Sequence, residues 1–342
     1  MVDSPAGSAY VHLVRYRNFI FDSARWDEFE HRPDDIIIST PPKCGTTWTQ
    51  NIMAMLIFGT TSFDRPIAEL SPWLDQTIHG LDATKADLAA RDHRRFIKSH
   101  TPLDGLQWRD DITYIAVARD PRDVAVSWDH HFQNLDLARV FALRAEAYGL
   151  DDLPELPPMP PPQEVPADRF WTYMTNRAHE PEFAGGLELL IIHLRSFWHR
   201  RLEPNVVMLH YADLERDLEG EMRRLAKRLG IVVPEDRWAD LVEAASFRSM
   251  STRPMDLAPN AGASAACQSG VPCAVRTLVA RARHPSTLSG RLGSHPATAP
   301  SVASCDDAPC AAACKATESR LPPSGTVRTC NALSPPARVS RA

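Results

Sequence analysis

A run of β-branched residues that stops in a glycine turn and restarts as a helix leaves a chain few folds to choose from. Residues 34–58 read DDIIISTPPKCGTTWTQNIMAMLIF. Three successive isoleucines predict a buried strand, and the apolar stretch after Trp48 predicts a helix. Between them, Gly45 lets the backbone approach a ligand, and the amides of Gly45, Thr46 and Thr47 open a helix whose dipole favours an anion. Lys43 adds a mobile positive charge, Pro41 and Pro42 stiffen the entry, and the two threonines can cap the helix and offer hydroxyls to the same anion. The Gly-Lys-Thr ending of an ATP-binding loop is missing. The bland alternative is an ordinary capped turn with a buried Trp48.

The first 260 residues or so alternate β-rich runs with helical patterns, the order of a parallel sheet covered by helices. Strands are expected at Asp35–Ser39, Arg95–Lys98, Ile112–Ala118 and Val206–His210. In such sheets ligands collect beyond the carboxyl ends of the strands, so KSH, RDPRD and YADLERD should face one crevice with the first loop. The prolines of Leu153–Pro166 predict an extended surface loop. Helical spacing is expected over Phe170–Thr175, Leu187–Arg201, Glu219–Leu229 and Arg237–Ala245.

Two further constellations carry chemistry. In YIAVARDPRDVAVS a strand ends at Arg119 and a helix starts near Pro121. Arg119 and Ser127, eight residues apart, can then both face a phosphate at the sheet edge. Asp120, Arg122 and Asp123 fit a solvated cap network. In RRFIKSHTPL, Lys98 and His100 lie two apart at a strand's end, so their side chains point the same way. A histidine there can take a proton from an acceptor hydroxyl while the lysine offsets charge on a transferring group. Trp73, Trp108, Phe132 and Trp171 suit either an acceptor pocket or plain core.

Composition bounds the rest. The chain has 342 residues and a formal net charge of −5, which argues against general nucleic-acid binding. No apolar run approaches the ~20 residues of a membrane span, and the N-terminus lacks the basic-then-apolar pattern of a signal, so a cytoplasmic location is the default expectation. All Trp, Phe and Tyr residues lie at or before Phe247, while six of seven Cys follow Gly262. From Ser264 on there are nine Lys/Arg against three Asp/Glu. This composition predicts a low-complexity, largely disordered tail over 262–342. Within it, CDDAPCAAAC lacks a second Cys pair to complete a zinc site, so no metal is assigned.

PKCGTTW resembles the 5′-phosphosulfate loop of the cytosolic-type sulfotransferases, YIAVARDPRDVAVS their 3′-phosphate strand and helix, and KSHTPL their catalytic segment. SPWLDQTI, IKSHTPLDGL and LAPN are similar to actinobacterial, mycobacterial-type members, some of which act on glycolipids. The resemblance covers residues 19–261 and implies an α/β fold with a P-loop NTPase-like parallel sheet flanked by helices. It implies 3′-phosphoadenosine 5′-phosphosulfate as donor and a hydroxyl of a small molecule or glycolipid as acceptor. By position, Lys43, Cys44, Gly45, Thr46, Thr47 and Trp48 would hold the phosphosulfate, and Arg119 and Ser127 the 3′-phosphate. Trp48, Tyr211 and Phe247 would surround the adenine, His100 would be the general base, and Lys98 would stabilise the group in flight without a metal. Cys44 stands where the family most often has Ser, and its place beside Lys43 at a helix N-terminus predicts a reactive thiol. After LAPN the family's closing Gly-x-Trp segment has no counterpart, and SGRLGS (289–294) is a poor substitute. The switch looks like out-of-frame translation, and a chain with impaired donor binding is the alternative function.

Overall fold

The computed structural model describes residues 13–157 and 163–252, which belong to one compact unit. The LAPN element, SGRLGS, the cysteine-rich tail and its expected disorder lie outside the described residues.

Four strands, β1 (Ile36–Ser39), β2 (Phe96–Ser99), β3 (Thr113–Ala118) and β4 (Val206–His210), form one sheet in the order β2-β1-β3-β4. Every pairing is parallel, with Ile37 opposite Ile97 on one side and Tyr114 on the other. The chain leaves β1 for β2 and returns across it to β3, so the switch point, where such sheets bind ligands, lies beyond the ends of β1 and β3. At the opposite end, buried Asp35 and Arg95 pair at 2.6 Å just before β1 and β2 and pin the two strands in register.

Helix α1 (Thr46–Phe58) follows the first loop, and α2 (Ile67–Leu70) and α3 (Leu81–Ala89) lie before β2. Beyond β3 come α4 (Pro121–Gln133), α5 (Leu137–Ala147), α6 (Pro166–Thr175) and α7 (Gly186–His199). Beyond β4 come α8 (Tyr211–Arg216), α9 (Leu218–Arg228), α10 (Trp238–Ala245) and α11 (Phe247–Ser251).

The isoleucine run explains the layering. Ile36 and Ile38 pack with Ile52, Met53, Leu225 and Leu241 on one face, while Ile37 packs with Trp26, Tyr114 and Phe197 on the other. Successive strand residues point to opposite faces, so a strand apolar at every position must be covered on both sides.

The proline-rich stretch departs from expectation. Leu153–Glu155 is a short 3-10 turn, and Pro166 opens α6 four residues ahead of the predicted helix start. Proline's fixed φ suits a first-turn position, and Asp168 adds a carboxylate where the macrodipole favours one.

Candidate active site

The turn from β1 into α1 is strained on purpose. Lys43 has φ of 69° and Gly45 φ of 97°, a left-handed pair that folds the chain back sharply enough to start α1 at Thr46. The threonines do not cap that helix. Gly45 is the cap residue and makes no side-chain cap bond, while the Thr46 hydroxyl pairs with that of Thr40 at 2.5 Å. The amides therefore keep their donors aimed out of the loop. A Cβ on Gly45 would stand 3.0 Å from Cδ2 of Tyr211.

Cys44 overturns the expectation of a reactive thiol. It is completely buried among Val124, Ala125, Tyr173 and Leu190, and burial pushes its thiol up to about 12. After the left-handed turn at Lys43 the next side chain points inward. Desolvation outweighs the nearby Arg119 charge.

Arg119 ties the end of β3 to this loop, donating to the Lys43 carbonyl at 2.8 Å. Its guanidinium lies over the Tyr211 ring at 4.2 Å, and that ring meets Trp48 edge-on at 5.2 Å. Trp48 is fixed in turn by its indole N–H on the Ala245 carbonyl, 2.9 Å away. Ser127 is buried two turns into α4, and among the described residues no hydrogen bond joins it to Arg119. Phe247 is half-buried at the start of α11, and the ring contact joining Trp48 to Tyr211 does not include it. Asp120 caps α4 and pairs with exposed Arg122 at 2.6 Å, the solvated network expected there.

At the end of β2, Lys98 and His100 do come together, on a residue whose role the sequence left open. Trp73 lies 4.3 Å beneath the Lys98 ammonium and meets the His100 ring edge-on at 4.6 Å. The His100 Nδ1 is 2.7 Å from the carbonyl of Thr40. A carbonyl can only accept, so Nδ1 carries the proton and Nε2 keeps its lone pair. Burial, with help from the Lys98 charge, holds this imidazole well below its usual pKa, so it is neutral at pH 7. Lys98 is brought down to about 7, chiefly by burial and then by repulsion from Lys43, against an opposing pull from Asp75. A second histidine, His131 on α4, is held well below its usual range by burial and by the charges of Lys43 and Lys98. The dipeptide His130-His131 was the only sequence signal for it, and nothing in that signal said which one turns inward.

The other aromatic candidates separate cleanly. Trp108 stacks on Tyr114 at 5.2 Å, away from the loop, whereas Phe132 and Trp171 are 36% and 60% exposed. Of the four, Trp73 is the one whose ring contacts include Lys98 and His100.

The fold and the site together define an α/β protein that presents a glycine-turned loop opening a helix, with Lys43, Lys98 and a neutral His100 imidazole, beyond the carboxyl ends of its central strands. The family of the sulfotransferase domain matches residues 33–269, and the chain belongs to it. A glycolipid sulfotransferase of Mycobacterium bovis is 40% identical over 72% of this chain and 79% of its own. Sulfotransferase 1B1 of the dog, Canis lupus familiaris, is 28% identical over 67% of this chain and 70% of its own. The crystal structure of retinol dehydratase, in complex with androsterone and inactive cofactor PAP, shares the fold with a TM-score of 0.51. It is 20% identical and the match covers 76% of this chain and 82% of that one.

Proposed function

We propose that the chain moves the sulfuryl group of 3′-phosphoadenosine 5′-phosphosulfate to a hydroxyl of a small-molecule or glycolipid acceptor, in the cytoplasm, with residues 19–261 as its catalytic unit. The observation that carries this reading is the His100 imidazole, held by Thr40 through Nδ1 so that Nε2 keeps its lone pair, sharing Trp73 with Lys98 at the end of β2. The names of the mycobacterial relatives support a glycolipid as acceptor, and the PAP of the retinol dehydratase complex supports the donor class.

The chain's own residues fit a sulfated, phosphorylated anion. The Nε of Arg119 is buried with no hydrogen-bond partner among the described residues. Lys98 loses proton affinity to Lys43, a repulsion an anion between them would relieve. In the reaction, Lys43 and the loop amides hold the phosphosulfate in line and neutralise charge on the leaving oxygen. His100 accepts the acceptor's hydroxyl proton at Nε2 as the O–S bond forms, while Lys98, charged by the incoming anion, steadies the sulfuryl oxygens. Thr46, Thr47 and Ser127 would add hydroxyl contacts, and Tyr211, Trp48 and Phe247 would flank the base. Cys44 contributes shape behind the loop and no chemistry.

Calorimetry with 3′-phosphoadenosine 5′-phosphate, beside ATP, tests the reading. Tight bisphosphate binding without ATP binding is the expected result. Weak or absent bisphosphate binding would favour a sulfotransferase-fold chain with impaired donor closure, and a preference for ATP would overturn the donor assignment.

A further inference from the structure

We infer that Asp75 is a positioning residue for the base: its carboxylate grips the hydroxyls on both sides of His100 and thereby keeps the imidazole aligned on Thr40. The inference rests on the reading of His100 as base, and adds to it a residue from a separate segment of the chain.

That segment reaches the site by backbone pairing. Residues 72–74 run beside the end of β2, with Lys98 N–H donating to the Pro72 carbonyl at 3.0 Å and Leu74 N–H to the Lys98 carbonyl at 3.3 Å. Trp73 pairs with Lys98 in a parallel bridge. Asp75 therefore arrives fully buried beneath the Ser99–His100–Thr101 turn. Its Oδ2 accepts from Ser99 Oγ at 2.7 Å and from Thr101 Oγ1 at 2.5 Å. Ser99 Oγ, its own proton committed to Asp75, accepts the Thr101 N–H at 3.0 Å. A closed ring of bonds thus surrounds the one residue between them.

From the sheet side, Ser39 Oγ donates to the Thr101 carbonyl at 2.5 Å and is 2.9 Å from Nε2 of buried His193. With its only proton on a carbonyl, Ser39 accepts there, so His193 is held as the Nε2–H form. The turn carrying His100 is thus held by bonds from Asp75 on one side and from Ser39 on the other.

A buried carboxylate is costly, and although the charges of Lys98 and Arg25 act on Asp75, its hydrogen bonds among the described residues come from hydroxyls. Its Oδ1 has no hydrogen-bond partner there, although the Trp26 indole lies near the carboxylate. Burial accordingly holds its proton affinity up against the pull of the two hydroxyls. A residue this costly, replaceable by an apolar one if only packing mattered, is explained by what it orients.

The test compares Asp75→Asn, Thr101→Val and Thr101→Ser with the wild type on the full chain. His100 is read by its ring-nitrogen NMR shifts, the donor site by calorimetry with 3′-phosphoadenosine 5′-phosphate, and transfer by sulfation of 2-naphthol from 3′-phosphoadenosine 5′-phosphosulfate. Asp75→Asn and Thr101→Val are expected to keep bisphosphate affinity, to lose roughly tenfold to a hundredfold in kcat, and to show His100 exchanging between tautomers. Thr101→Ser, which restores the hydroxyl, should keep all three properties. An unchanged His100 spectrum in Thr101→Val, or equal losses in Thr101→Ser and Thr101→Val, would overturn the proposal. Should Asp75→Asn fail to fold, the two Thr101 variants decide it, since Val is nearly isosteric with Thr. A wild type without bisphosphate binding or transfer would sink the sulfotransferase reading instead, while the His100 spectra would still report on Asp75.

Discussion

His100 and Cys44 show how far a side chain's meaning depends on which way it faces. His100 meets the acceptor rather than the donor in the proposed reaction. His100→Gln should therefore cut kcat by about a hundredfold to ten-thousandfold while leaving bisphosphate binding near wild type, as steady-state kinetics and calorimetry on one preparation would show. Cys44 lies one residue from Lys43, yet its thiol is sealed in the core and held up to about 12. N-ethylmaleimide at pH 7 should leave it unmodified in the native protein and label it fully in urea, as intact-mass and peptide spectra would reveal. Rapid native labelling would mean that the loop opens far more often than its packing allows.

The first loop and its flanking strand and helix act as one element, and Gly45 is its hinge of tolerance. A Cβ there meets both a left-handed backbone, φ 97°, and the Tyr211 ring at 3.0 Å. Gly45→Ala should cost roughly 1–2 kcal/mol from the backbone alone and weaken bisphosphate binding further by shifting Tyr211 off Arg119. Urea denaturation and calorimetry would separate the two effects. Elements of this kind were legible in the sequence. Each of the four strands starts and ends within one residue of its expected place, because β-branched runs bounded by polar residues have no other stable use. The meeting of Lys98 with His100 followed from strand periodicity. Trp73 did not, because its place under both residues comes from a bridge between segments about 25 positions apart in sequence. Cys44 misled because a left-handed residue just before it reverses the side-chain phase that strand or helix spacing would give. Asp75 left no local signal at all: its partners are hydroxyls, which the sequence scatters everywhere.

At the scale of the whole molecule, the site makes folding and binding pH-dependent. Lys98 titrates near 7 in the folded chain, well below the unfolded value of about 10.4. The unfolded state thus binds more protons between those limits, so stability without ligand should rise as pH climbs from 7 to 10. His100 is also depressed, and His193 falls to about 3 through burial alone. Acidification below about 6.5 should accordingly erode stability as the unfolded histidines charge first. Urea midpoints across this range would check both slopes, and a flat profile would contradict them. Anion binding should restore the Lys98 proton, so bisphosphate titrations near neutrality should take up protons, seen as a dependence of the apparent enthalpy on the buffer's ionisation heat. Among the described residues no helix is long and apolar enough to cross a membrane. The indole of Trp73 underlies Lys98 and His100 at once, so in the proposed reaction the donor-side and acceptor-side groups share one aromatic support. If an acceptor that contacts Trp73 changes donor affinity, thermodynamic reciprocity requires the donor to change acceptor affinity by the same factor. Acceptor affinities are therefore to be compared with the donor bound as well as without it.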